Sequence, residues 1–196
     1  MSSAPPLIVG FGGTTRPGST TERLVSAVLD RCAALGAEVQ LFGGAFLSAL
    51  PHFAPDAPAR TAEQIRFVAA VRRASGLVIG SPGYHGGISG LVKNAIDLLE
   101  DTRLDARCYF DGLPVGLVVS TAGWQAGGVT LSSMRDVVHA LRGWPTPVGI
   151  SVNTVAQRPF LDSGDLDEAI LGAVEEQARQ LMRLAPLAGR LQVDAA

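Results

Sequence analysis

The stretch LIVGFGGTTRPGSTTERLV, residues 7–25, changes character twice in a short span. Leu7–Gly10 reads as a buried strand, because a short apolar run bounded by glycine suits a strand covered on both faces. Ser19 or Thr20 can then cap a helix. Its apolar positions Leu24, Val25, Val28, Leu29 and Cys32 recur at helical spacing, and Gly36 ends it. A strand that passes through a glycine-rich corner into a helix is the opening half of a β-α-β unit.

The same alternation continues outward. Glu38–Phe42 reads as a second strand, and residues 42–60, rich in proline, form the longest irregular segment. Thr61–Ser75 reads as a helix with Ile65, Val68, Ala69 and Arg72 at its repeats. Gly76–Gly80 is a third strand, which runs into SPGYHGGISG, with Pro82 and Gly83 expected to turn the backbone out of it. A helix over Leu91–Glu100 follows, with Leu91, Ala95, Leu98 and Leu99 apolar. Pro114–Ser120 is a fourth strand that ends in the glycine loop Thr121–Gly128. A helix over Leu131–Leu141, a strand over Thr146–Val152 and a helix over Asp165–Leu184 close the chain. Trp144 is expected to pack at the entry to the last strand. Five such units without repeats or linkers predict one domain, residues 1–196, of the α/β class. Its sheet would be parallel and doubly wound, with helices on both faces. Glycine-rich loops follow the first, third and fourth strands, and in an open parallel sheet ligands sit at those carboxyl ends.

Composition narrows the partners. The chain has 196 residues, 47% hydrophobic and 17% charged, with a net charge of −2. Fifteen arginines and one lysine, Lys93, are spread along it, so no basic stripe offers itself to nucleic acid. No apolar run reaches the ~20 residues of a membrane span. The N-terminus, Met1-Ser-Ser-Ala-Pro-Pro, lacks the charged region of a signal peptide. Cys32 and Cys108 are not closely spaced; Cys32 falls on an apolar helix face and reads as a buried free thiol. A soluble protein of the reducing cytoplasm is expected.

The first loop excludes two phosphate-binding classes. A P-loop needs Gly-Lys-Ser/Thr at the helix start, and Lys93 lies far away in sequence. The dinucleotide fingerprint from Gly10 fails at Thr15, which stands where the third glycine belongs, and no acidic residue ends the second strand. What fits is a terminal phosphate monoester. Thr14, Ser19, Thr20 and Thr21 supply hydroxyls, Arg16 supplies a charge, and the helix N-terminus adds partial positive charge.

In the segment after the third strand, Tyr84 and His85 offer a pair of rings. Gly86 and Gly87 allow the backbone to approach a flat ligand closely. With these motifs the chain resembles the NADPH-dependent FMN reductases of the flavodoxin-like superfamily. The first motif reads Gly13-Thr-Thr-Arg-Pro-Gly-Ser-Thr-Thr21. The second reads Ser81-Pro-Gly-Tyr-His-Gly-Gly87, followed by Gly90, Lys93, Asn94 and Asp97. The third is Ser120-Thr-Ala-Gly-Trp-Gln-Ala-Gly-Gly128. The resemblance implies the flavodoxin-like strand order 2-1-3-4-5, which sets the three glycine loops side by side. It implies FMN, with Thr14, Arg16, Ser19, Thr20 and Thr21 around the phosphate. Ser81, Pro82, Gly83, Tyr84, His85, Gly86 and Gly87 would then lie along the ribityl chain and ring, with Thr121, Ala122, Gly123, Trp124, Gly127 and Gly128. Departures from the family pattern are Thr14 for serine, Thr21 for asparagine and His85 where many members carry asparagine.

The resemblance further implies NADPH or NADH as hydride donor, with free flavin, or a quinone or azo compound, as acceptor. The flavin carries the chemistry and no protein nucleophile is required. A flavin-dependent monooxygenase is a candidate partner. Lys93, Asn94 and Asp97 would lie on a helix that forms a homodimer or homotetramer. A dedicated biosynthetic flavoenzyme and a non-catalytic electron-transfer flavoprotein are the alternatives. Asp97 and Asp101 are expected on one helix face. His52, His85 and His139 are too scattered to suggest a metal site or a Ser-His-Asp triad.

Overall fold

A computed structural model describes residues 4–57 and 59–193. The N-terminal reading at Met1–Ser3 lies outside them. The elements run β1 (Leu7–Gly12), α1 (Thr20–Ala34), β2 (Glu38–Phe42), α2 (Gly44–Ser48), α3 (Ala62–Arg73), β3 (Gly76–Tyr84) and β4 (Gly87–Ile88). They continue with α4 (Gly90–Asp97), a 3₁₀ turn over Leu98–Thr102, β5 (Pro114–Thr121), α5 (Trp124–Ala140), β6 (Trp144–Asn153) and α6 (Glu168–Val193). No helix among the described residues is long and apolar enough to cross a membrane.

The long strands pair in the order β2-β1-β3-β5-β6, all parallel, which is the flavodoxin-like order. The two-residue β4 pairs antiparallel with the end of β3 and is an addition that sequence reading did not anticipate. Side chains alternate across the sheet and build two cores. Ile8, Val78, Val118, Ile150 and Val152 face α1 and α6. Val9, Phe11, Leu77, Ile79, Val115, Leu117 and Val119 face α3, α4 and α5. Both faces of the sheet are therefore covered, which is why the strands read as continuous apolar runs.

The helix starts follow capping chemistry. Ser19 caps α1 by accepting from Glu22 N–H, and Ser89 caps α4 by accepting from Val92 N–H. Thr61 and Gln64 form a capping box at α3. That box shifts the face of α3: Gln64, Phe67, Val68, Ala70 and Val71 are buried, whereas Ile65 is 58% exposed, contrary to the repeat expected from sequence.

Other expectations need correction. The irregular segment 42–60 contains the short helix α2. Pro82 and Gly83 do not leave the sheet. Pro82 still pairs with Ser120, and beyond Gly80 β3 outruns β1 and becomes an edge, where proline is tolerated. The turn comes later, at His85 and Gly86, both with positive φ. Most of the supposed glycine loop after β5 is helical, because α5 begins at Trp124 rather than Leu131. Trp144 opens the edge strand β6 and is 65% exposed, not packed. Asp101 lies in the 3₁₀ turn after α4, so it does not continue the Asp97 face of an α-helix; it pairs instead with Arg60 at 2.8 Å.

β6 carries Pro145 and Pro147 near its start, and the β5–β6 register shifts between Val115 and Leu117. Buried Gln177 of α6 fills the irregularity, its amide donating to Leu117 O and Val148 O. Gln180 accepts from Val148 N–H.

Candidate functional site

At the carboxyl ends of β1, β3 and β5 the chain encloses a cleft of about 310 Å³. Thr14, Arg16, Ser19, Thr20 and Thr21 form one wall, and Pro82, Gly83, Tyr84 and His85 a second. Ser120, Thr121, Ala122 and Thr154 complete it. Among the described residues no carboxylate lines it, and Arg16 is its only permanent cation. Arg16 is exposed and has no ion-pair partner among the described residues.

The hydroxyls are partly committed to local structure. Thr14 Oγ1 accepts from Arg16 N–H at 3.1 Å, which folds the loop back on itself. Ser19 Oγ is the helix cap. Thr21 is buried and its hydroxyl bonds Ser120 Oγ across the floor of the cleft. In such a pair one oxygen donates and the other accepts, so one hydroxyl proton stays free for a further acceptor. The first turn of α1 also leaves backbone N–H groups without partners inside the helix.

Close backbone approach shapes the walls. A Cβ on Gly83 would lie 2.4 Å from Thr121 Cγ2 and 2.6 Å from Thr130 Oγ1. A Cβ on Gly44 would lie 1.9 Å from Thr14 O, so only glycine lets α2 support the β1–α1 loop. Glu22 strengthens that support: its carboxylate accepts from Gly44 N–H at 2.7 Å, where it caps α2. The one acidic side chain in the first turn of α1 is thereby occupied.

The remaining residues suggested by sequence sit around the cleft rather than in its walls. Ser81 is buried behind it; its hydroxyl accepts from Ser89 N–H and fastens the β3–β4 hairpin to the start of α4. Gly86 and Gly87 complete that hairpin, with Gly87 opposite Tyr84. Gly123 is the N-cap of α5 and Trp124, 60% exposed, its first residue. Gly127 allows α5 to press on β6, since its Cβ would fall 2.5 Å from Ser151 Oγ, whereas Gly128 faces open space. Lys93 pairs with Asp97 at 2.6 Å, and Asn94 bonds Phe53 N–H and Pro51 O, which ties α4 to the segment after α2.

Thr154 escaped sequence reading because it belongs to no motif. Its N–H and its hydroxyl both donate to Thr121 O, which closes the cleft on the β6 side. The signal for it is positional, since it directly follows the strand next to β5.

Known proteins align with this arrangement. The sequence profile of the NADPH-dependent FMN reductases matches residues 6–157, from just before β1 to just beyond Thr154. The chain is 38% identical over 77 residues to an FMN-dependent NADPH-azoreductase of Staphylococcus aureus, a match that spans 39% of this chain and 37% of that relative's length. The NAD(P)H:(acceptor) oxidoreductase FerB of Paracoccus denitrificans superposes with a TM-score of 0.73 at 18% identity, covering 93% of this chain and 98% of that one. An oxidoreductase of Corynebacterium diphtheriae gives 0.71 at 17% identity, with 94% and 99% covered. The structural likenesses establish the fold, and the profile, matched from the first strand through the third side of the cleft, establishes the lineage: the chain belongs to the NADPH-dependent FMN reductase family.

Proposed function

We propose that the cleft binds FMN and that the protein is an NAD(P)H-dependent FMN oxidoreductase which passes electrons to free flavin. The observation that carries this reading is the donor set at the β1–α1 corner. It combines hydroxyls, free N–H groups and an unpaired Arg16 with no carboxylate, which suits a dianionic phosphate monoester. Thr14, Arg16, Ser19, Thr20 and the Thr21–Ser120 pair would hold the phosphate. Pro82 to His85, Thr121, Ala122 and Thr154 would hold the remainder, flanked by Gly86, Gly87, Gly123, Trp124, Gly127 and Gly128. Bound FMN supplies the capacity to take hydride from a reduced nicotinamide and to return the electrons to a second ligand. The chain's part is to orient, to exclude water on one side and to leave the other side open.

A quinone or azo acceptor reduced in place is a second reading. The 77-residue match to an azoreductase and the exposed Tyr84 and Trp124 beside the cleft favour it. A flavodoxin-like electron carrier is disfavoured, because such proteins dock through acidic surfaces and the cleft carries no acid. The reading includes a reducing, cytoplasmic setting, supported by the two free thiols, and delivery of reduced flavin to a monooxygenase. It also includes a homodimer or homotetramer, supported by the apolar groove between α4 and α5, floored by Ile96, Val137 and Leu141 and rimmed by Lys93, Asp97 and Glu100.

Purified protein should show visible flavin absorbance, or acquire it with added FMN, and should bleach anaerobically with NADPH or NADH. A protein that binds no FMN refutes the reading. Arg16→Ala should weaken FMN binding by roughly 10- to 150-fold, the 1.5–3 kcal/mol of a charged hydrogen bond. Fluorescence titration of the apoprotein measures it, and unchanged affinity would remove Arg16 from the phosphate site.

A further inference from the structure

His85 stands in a left-handed backbone conformation that only a few per cent of non-glycine residues adopt. The hairpin pairs Tyr84 with Gly87, leaving His85 and Gly86 as a two-residue loop with φ of 53° and 76°. Positive φ at both positions is the type I′ turn, for which Asn-Gly is the favoured pair. A histidine there costs conformational energy, and such costs cluster where a side chain is needed in one place. The side chain lines the cleft and is exposed at its mouth.

Apolar surface gathers at the same mouth. Tyr84 is 58% exposed and Trp124, two residues beyond the lining residue Ala122, is 60% exposed. Val129, 51% exposed, lies against the turn, 3.7 Å from where a Cβ on Gly86 would be. A rim of exposed aromatic and aliphatic groups continuous with a polar cleft suits a flat apolar ligand. Charges are sparse around it. The titratable groups of the cleft itself are Arg16, Tyr84 and His85. The α5 segment packed on the hairpin, Trp124–Leu131, has none; farther along α5, Arg135 reaches Pro147 O, and on α4 Lys93 is paired with Asp97.

We propose that His85 is the proton donor to a planar, carbonyl-bearing acceptor of the quinone class that lies on the rim of Tyr84, Val129 and Trp124. The proposal rests on the FMN reading of this cleft. Reduction of a quinone to a quinol adds two electrons and two protons. One proton arrives with the electron pair as the hydride equivalent that NAD(P)H supplies. The second passes from an imidazolium N–H to the quinone oxygen, forming the second O–H bond, and water reprotonates the ring. Histidine is the side chain that most often transfers a proton to a reacting group.

The test compares menadione, which needs protons, with ferricyanide, which takes electrons alone, in NADPH-driven turnover of the FMN-loaded protein. His85→Asn keeps the turn and removes the proton. It should lower the rate with menadione at least tenfold more than the rate with ferricyanide. Quenching of tryptophan fluorescence by menadione, in oxidised protein without nicotinamide, should show severalfold weaker binding to the variant. Equal losses with the two acceptors would overturn the assignment of His85. Wild-type protein that reduces neither acceptor would instead overturn the FMN oxidoreductase reading, and this assignment with it.

Discussion

His85 is the residue at which local energy and site geometry pull in opposite directions. Left-handed backbone costs an ordinary residue about 1–2 kcal/mol, and asparagine tolerates it better. His85→Asn should therefore stabilise the fold by about 0.5–1 kcal/mol, a Tm rise of about 1–4 °C. Differential scanning calorimetry of the two proteins would measure it. A Tm that falls would mean that the imidazole makes a stabilising contact outweighing the turn. Thr21 makes a different point at the same scale. Its residue type marked it as a phosphate ligand, and its hydroxyl is bonded to Ser120, 99 positions away. Residue types at a helix start advertise donors, but only the fold decides which donors remain free.

Between elements, the β1–α1 loop is held by contact with α2 rather than by its own sequence. Gly44 abuts Thr14 O and its N–H is bonded to Glu22, so loop, α1 and α2 are fastened to one another. Gly44→Ala must push the loop away from α2. We expect a loss of about 1–3 kcal/mol in stability by overpacking, together with weaker FMN binding. Urea unfolding and FMN titration of the variant test the two halves; a stability loss with unchanged affinity would separate the loop from the ligand.

At this scale much was legible from sequence. The apolar runs of β1, β3 and β5, the cap Ser19 and the glycine at position 36 placed those elements, and the family resemblance set the three loops side by side. The errors have physical causes. Gly123–Gly128 read as loop because glycine is a poor helix former. Helix α5 accepts it because Gly127 permits contact with Ser151 and packing offsets propensity. Ile65 read as core because periodicity ignores capping, and Gln64 took the buried place by closing its box with Thr61. Gly44 had no local signal and Thr154 only its position after β6, since their roles come from neighbours distant in sequence.

For the whole molecule, Cys32 links folding to pH. Burial between α1 and the sheet pushes its thiol up from 9.0 to about 12. Below pH 9 the thiol is protonated in both folded and unfolded chains and stability does not depend on it. Between pH 9 and 12 the unfolded chain ionises and the folded one does not, so stability falls as pH rises. The limiting slope is about 1.4 kcal/mol per pH unit. Urea unfolding from pH 8 to 10.5 should show this decline, and Cys32→Ala should remove that part of it. An identical pH profile in the variant would show that the thiol is not the cause.

The two prolines at the start of β6 bear on how copies of this chain can meet. Pro145 and Pro147 sit on an outer strand of the sheet, where each lacks the N–H that an approaching strand would need. An added strand would find gaps at that border where it needed a continuous row of donors. Growth by edge-to-edge strand addition is obstructed there, during synthesis as well as afterwards. At that border an approaching copy would have to be held by side chains rather than by a shared backbone ladder, leaving each sheet a separate unit.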